Sequence, residues 1–272
     1  MNRLYKTGLA ALAAVSILTA ACSKEEPGTL KGEFSVSATQ KVKFSQGNLQ
    51  YDGATKSYKF AETQWTTVSS IKQFDKPKEA DGGVIDRLAW GNPDTPYTTA
   101  ETFTDWGQKP IINGGNEPGI WRTLTADEWE YLVLNRPNPT QHFTFGSIND
   151  VKGFILLPDD WQQPKDVATK FMPADSLDKN VHGYHTRRTD PTDYTELNTY
   201  TAEQWKVLED AGALFLPFTV RSDFRDKSYY TCEYWDTDDN HLSIAPQEIW
   251  PKRGCVLDAF RMNVRLAKNV KK

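Results

Sequence analysis

The chain has 272 residues, with 32 Lys and Arg against 36 Asp and Glu, a formal charge of −4 that loss of the two cations Arg3 and Lys6 would take to −6. No block of basic residues stands outside the last few positions, which argues against a nucleic-acid partner. The length suits one large domain, and nine Trp beside 13 Phe and 11 Tyr supply core material with a surplus for a binding surface.

Residues 1–21 read as a lipoprotein signal peptide. Arg3 and Lys6 make a basic start, and the apolar run from Leu9 to Ala21 is shorter than the ~20 residues needed to cross a bilayer. The run ends in Leu18-Thr19-Ala20-Ala21-Cys22, a relaxed lipobox with Thr19 where Leu is usual. Cys22 is then the lipidated N-terminus and membrane lipid its partner. One acyl chain holds only marginally, so stable anchoring requires several. Residues 22–32, polar with Pro27 and Gly28, read as a tether, and the folded domain is expected over 33–268.

Strand alternation begins with Phe34-Ser35-Val36-Ser37 and Val42-Lys43-Phe44-Ser45, resumes at Leu49-Gln50-Tyr51, and turns at Asp52-Gly53 before Tyr58-Lys59-Phe60. This predicts an antiparallel N-terminal ribbon. From Trp65 to Trp121 the chain is loop-rich, broken by Asp81-Gly82-Gly83, Asn92-Pro93-Asp94 and Asn113-Gly114-Gly115; so long a loop requires function or packing to hold it.

Thr125 and Glu128 form a capping box, Leu124 and Trp129 a hydrophobic staple, and Trp129, Leu132 and Val133 share a face. A short helix is expected from Ala126 to near Asn135, stopped by Pro137. Phe143-Thr144-Phe145 and the apolar run Phe154 to Leu157 read as strands, with Asn149-Asp150 turning between them. Asp166 to Asp193 is polar and irregular, an expected insertion. The first helical design recurs with Thr201 and Gln204 as the box, Tyr200 and Trp205 as the staple and Gly212 as the stop, followed by the apolar strand from Ala213 to Pro217. Capped helices followed by buried strands fit an α+β fold better than a doubly wound one.

Toward the C-terminus, the stretch from Tyr229 to Trp235 alternates, placing Tyr230, Cys232 and Tyr234 on one face. A turn from Asp236 to His241, a return strand from Leu242 to Ala245 and a closing strand from Phe260 to Leu266 complete the domain.

The words Leu124-Thr125-x-x-Glu128-Trp129-Glu130-Tyr131 resemble a helix of the formylglycine-generating-enzyme (sulfatase-modifying-factor) superfamily, whose fold is C-type-lectin-like. The Phe44-Ser45-x-Gly47-Asn48-Leu49-Gln50-Tyr51 and Phe60-Ala61-Glu62-x-Gln64-Trp65 stretches resemble a group of Bacteroidetes surface lipoproteins that share this fold. The closing Phe260-Arg261 to Val264-Arg265 is similar to the superfamily's last strand, with Ala259 where Gly is usual. The resemblance implies an α+β, C-type-lectin-like fold. It also implies that Ser23-Lys24-Glu25-Glu26 directs the lipoprotein to the outer face of the outer membrane.

The superfamily's oxidase works through a close cysteine pair that binds copper. Here Cys232 and Cys255 stand more than twenty residues apart, so that chemistry does not carry over. In an extracytoplasmic compartment the two are expected to pair in a disulfide, two buried free thiols being the alternative. Asp236-x-Asp238-x-Asn240 begins like an EF-hand, but His241 and Gln247 occupy its Gly and Glu positions; a looser calcium site on Asp236, Asp238 and Asp239 is the remaining metal reading. His182 and His185 have metal-like spacing but neighbour Arg187 and Arg188, so they read as a surface loop.

In this superfamily the C-terminal third presents the ligand surface. That directs attention to Tyr229, Tyr230, Tyr234, Trp235, Asp236, Asp238, Asn240, His241 and Trp250, whose rings give contact area and whose polar groups orient hydrogen bonds to a glycan or protein. The expectation is a non-catalytic, surface-exposed binding lipoprotein. Its rivals are an enzyme on the same scaffold, as a hydrolase or divergent oxidase, and a structural or fimbrial accessory.

Overall fold

The computed structural model describes residues 26–68, 82–173, 176–180, 182–186, 192–222, 228–246, 248–255, 257 and 260–271. The signal peptide, Cys22, Arg187, Arg188 and Gln247 lie outside the described residues. In chain order come β1 (Phe34–Ser35), β2 (Lys41–Phe44), β3 (Leu49–Asp52), β4 (Ser57–Phe60) and β5 (Val84–Ile85). Helix α1 (Ala126–Glu130) runs into a π-helical turn, Tyr131–Asn135, and leads to β6 (Phe143–Ile148) and β7 (Val151–Leu156). Next are β8 (Leu177–Asn180), β9 (Gly183–Thr186), the single turn α2 (Tyr194–Leu197), β10 (Thr199–Tyr200), α3 (Ala202–Asp210) and β11 (Leu214–Pro217). The chain ends with β12 (Thr219–Ser222), β13 (Ser228–Trp235), β14 (Asn240–Ala245), β15 (Glu248–Gly254) and β16 (Ala267–Asn269).

These elements make an α+β architecture of mostly antiparallel sheets with short helices; among the described ladders, β10–β6 is parallel. The sheets are β1-β2-β16, β4-β3-β5, β10-β6-β7-β11 and β12-β13-β14-β15-β9-β8.

Both capping boxes form as their sequences require. Thr125 Oγ1 accepts the Glu128 N–H at 3.1 Å while Glu128 Oε2 accepts the Thr125 N–H at 2.9 Å, and Arg122 grips the same carboxylate through two 2.6 Å bonds. Thr201 and Gln204 repeat the exchange at the start of α3. That helix stops at Gly212, whose φ of +103° disfavours any side chain. A Cβ on Gly32 would stand 2.2 Å from the Gly212 carbonyl, so the first residues of the domain can cross the helix end only as glycine.

The four-stranded sheet explains the unbroken apolar runs. Phe154 and Leu156 of β7, with Leu214 and Leu216 of β11, enter the main core alongside Trp129, while Ile155, Leu157 and Phe215 face a second cluster capped by Trp205 of α3. A sheet buried on both faces needs apolar residues at every position. Asn149 and Asp150, with φ of +45° and +67°, make the tight turn between β6 and β7.

The structure corrects three expectations and settles a fourth on one of its two alternatives, packing of the long loop. Residues 26–32 are seated rather than tethering: Leu30 is buried and donates its N–H to Phe44 O at 2.9 Å, and at the other end Val270 N–H reaches Lys41 O at 3.0 Å. The N-terminal ribbon is two sheets, because β16 closes on β2 and β5 closes on β3. The loop-rich stretch after Trp65 is held by packing, since Trp90, Trp106, Ile111 and Trp121 build a third core with Tyr51, Phe60 and Leu266. The segment expected as one closing strand instead threads between other segments: Met262 bonds Leu88, Asn263 bonds Glu233 and Trp235, Val264 bonds Leu49 and Leu266 bonds Ser45, all through the backbone. Its Arg265 is buried against Asn48 and Gln64, and burial lowers the guanidinium pKa to about 10.

Candidate functional site on the outer face of the six-stranded sheet

The end of strand β13, from Thr231 to Trp235, is covered on both sides, which decides the fate of most of the expected ligand surface. Cys232 and Tyr234 point into the main core, and Trp235 points the other way into the third, only 1% exposed with its Nε1 donating to Leu88 O at 2.8 Å. Tyr234 donates to Asn48 Oδ1 at 3.0 Å. Asp236 is fully buried, its Oδ1 accepting the N–H groups of Asp238 and Asn240 at 2.8 and 3.0 Å, and His241 is buried beneath the edge of Trp235. Tyr234, Trp235, Asp236 and His241 therefore cannot meet a macromolecular ligand, a correction to the sequence reading. Alternation alone could not show it, because both faces of this strand meet a core.

Of the remaining candidates, Tyr230 is exposed, Asp238 is exposed, Asn240 and Trp250 are half-exposed, and the side chain of Tyr229 lies outside the described set. Asp238 Oδ2 accepts the Ala126 N–H at 2.8 Å, holding the start of α1. Two of the aspartates considered for calcium, Asp236 and Asp238, thus serve backbone N–H groups instead. Among the described residues no group of three or more His, Cys, Asp or Glu side chains is arranged to hold a metal ion. Cys232 and Cys255 are free thiols, correcting the disulfide: Cys232 is sealed in the main core while Cys255 packs against the third. Burial drives the Cys255 thiol up to about 12, with Glu233 and Asp236 adding to the shift.

The face of this sheet turned away from the main core holds the better site. Directly paired residues share a face, and the registers align Glu233 with Ser243, Ser243 with Trp250, Glu248 with His185, and His185 with Asp178. Trp250 is the centre. His182 stacks on its ring at 5.6 Å and 8°, and His185 meets it edge-on at 5.3 Å. The Arg253 guanidinium stands 5.9 Å from the ring and donates to Ser243 Oγ at 3.2 Å. Glu248 Oε1 approaches His185 Nδ1 to 4.0 Å.

The β8–β9 turn delivers the histidines. Asn180 Oδ1 accepts the N–H groups of His182 and Gly183 at 2.8 and 3.0 Å. A Cβ on Gly183 would fall 1.8 Å from Ile249 O, so only glycine lets β15 pass this closely. Within the stretch expected as an irregular insertion, β8 and β9 therefore pair antiparallel, and strand β15 had no expectation at all. The signal for both lay in alternation: Tyr184 and Ile249 face the core while His185, Glu248 and Trp250 face outward.

Two carboxyls are pushed up by burial, Asp86 to about 6 and Asp236 to about 7. Neither lines the cleft of about 350 Å³ between Tyr51, Tyr58, Asp94, Lys109 and Ile112, nor the larger cleft beside Lys31. Converging acids in a cleft, the arrangement a hydrolase needs, are not found among these groups.

No protein-family model matches this chain, and neither a curated protein nor a solved structure matches it.

Proposed function

We propose that the chain is the folded domain of a lipid-anchored, cell-surface lipoprotein with a C-type-lectin-like fold, binding an extracellular glycan or protein without transforming it. The observation that carries the reading is the half-exposed Trp250, stacked by His182 and flanked by His185 and Arg253 on a sheet face that serves no main-core packing. Aromatic edges offer area at small entropic cost, and imidazole, guanidinium and the Glu248 carboxylate supply hydrogen bonds in both directions. Because His182 stacks on the indole and Arg253 stands 5.9 Å from its centre, recognition uses the rim of the cluster rather than flat stacking on the indole. The lipobox, the capped helices and the mostly antiparallel sheets support the anchoring and fold parts of the proposal.

Two measurements test it. Metabolic labelling should show acylation that Cys22→Ser abolishes; persistent acylation removes the anchor. A glycan array and a surface-protein panel probed with the purified protein should return a ligand whose affinity falls by about 1–3 kcal/mol in Trp250→Ala, the range of a recognition hot spot. Binding unchanged by that substitution places the site elsewhere.

A further inference from the structure

Resting on the Trp250 reading above, we infer that the ligand is an acidic glycan, its carboxylate or sulfate held by Arg253 and its uncharged hydroxyls met by the His185 and Glu248 end of the same cluster.

Arg253 carries the first half of the argument. A guanidinium stays charged at any physiological pH and presents its N–H groups as a flat, rigid fork. Among the other arginines whose side chains are described, that fork is already used within the protein. Arg122 grips Glu128, Arg136 stands 3.7 Å from Asp159, and Arg87, Arg261 and Arg265 are buried. Arg253 is half-exposed and holds no ion pair with a carboxylate among the described residues. Its Nη1 donates to Ser243 Oγ at 3.2 Å, a buried hydroxyl on the neighbouring strand, and the Trp250 ring lies beside it. One donor thus fixes the fork on a strand, and the others have no acceptor among the described residues. A ligand carboxylate or sulfate offers that fork two oxygens, and such charge-assisted bonds are shorter and stronger than neutral ones.

Strand direction carries the second half. Strand β15 runs from Glu248 through Trp250 toward Arg253, and antiparallel β9 sets His185 opposite Glu248. The exposed turn residue His182 therefore lies toward the Arg253 end, stacked on Trp250. From Glu248 to Arg253 the strand covers roughly 15 Å. His185 at the far end stands between Glu248 and Asp178, its partners on the two flanking strands. The rim is thus cationic at one end and acidic at the other, which selects among anionic polymers. An acidic peptide with carboxylates at successive residues brings one of them against Glu248 and Asp178, where like charges repel. A glycan confines its charge to particular sugars. The hydroxyls of the next sugar both donate and accept, matching a carboxylate beside an imidazole.

The test presents the whole purified protein with matched glycans: oligogalacturonate against its methyl ester, and a sulfated galactan oligomer against its desulfated form, with polyglutamate as the peptide arm. At least one acidic glycan should bind about tenfold or more tightly than its uncharged partner, and which one does so tells carboxylate from sulfate. Arg253→Gln should erase that difference, and Arg253→Lys, which keeps the charge and loses the fork, should retain only part of it. Lys252→Gln removes the same charge from a side chain already paired with Asp127 and Glu130 of α1, and should leave the difference intact. Thermal midpoints within a few degrees of the parent's show that the variants keep the fold; where Arg253→Gln does not, Arg253→Lys decides. No binding to either acidic glycan, equal affinity within both pairs, tighter binding of polyglutamate, or equal losses in Arg253→Gln and Lys252→Gln overturns the acidic-glycan assignment. A neutral glycan or a protein whose binding needs Trp250 but not Arg253 overturns it too, and leaves the binding site standing. Ligand binding that survives Trp250→Ala removes the site and the assignment together.

Discussion

Asp236 offers a measurable consequence of burying a carboxyl in a turn. Its Oδ1 accepts two backbone N–H groups, while Oδ2 is buried without a protein partner, and burial raises the pKa from 3.8 to about 7. Below pH ~4 the group is protonated in both folded and unfolded chains and costs nothing. Between pH ~4 and ~7 the unfolded chain releases its proton first, so stability falls as pH rises, levelling once the folded group has ionised too. Integrated from pH 5 to pH 8, the shift is worth about 2–3 kcal/mol. Asp236→Asn keeps the Oδ1 acceptor and removes the titration. Its stability relative to the parent should therefore improve by that amount over the interval. At pH 5 the two proteins should lie within about 1 kcal/mol plus the part of the titration already complete. Urea unfolding at pH 5, 6, 7 and 8 reads the difference directly, and the similarly raised Asp86 cancels between the two proteins. A difference that does not vary with pH, or that moves against the variant as pH rises, refutes the reasoning.

Thr125→Ala and Thr201→Ala should each cost about 1 kcal/mol in urea unfolding, and the double variant their sum, since the boxes serve different cores. Trp129→Ala should cost about 3–5 kcal/mol by leaving a cavity among Phe44, Leu132 and Tyr234. Tyr230→Ala, exposed by 57%, should stay within about 0.5 kcal/mol, as a denaturation midpoint will show. Non-reducing peptide mapping should find Cys232 and Cys255 as thiols that maleimide labels readily only in denaturant, with Tm indifferent to reductant; a linked peptide pair contradicts the structure.

The sequence by itself determined what depends on neighbours along the chain. The capping boxes at Thr125 and Thr201, the stop at Gly212, the Asn149-Asp150 turn and the two-faced apolar runs from Phe154 and Leu214 are written in adjacent residues, and each formed as expected. Tertiary structure alone decided which faces meet water. Alternation marks Tyr234 and Trp235 as opposite, but only the third core, assembled from Trp90, Trp106, Trp121 and the threaded segment at Met262 to Leu266, turns both into interior residues. The same long-range closure separates Cys232 from Cys255 into different cores and draws residues 26–32 onto the end of α3. It also brings the pair His182 and His185 to the pair Trp250 and Arg253 across β9 and β15, two short stretches that stand far apart in the sequence and whose meeting no local pattern announces. Hydrogen bonds between chain neighbours are chosen locally, whereas burial belongs to whatever the rest of the chain brings alongside.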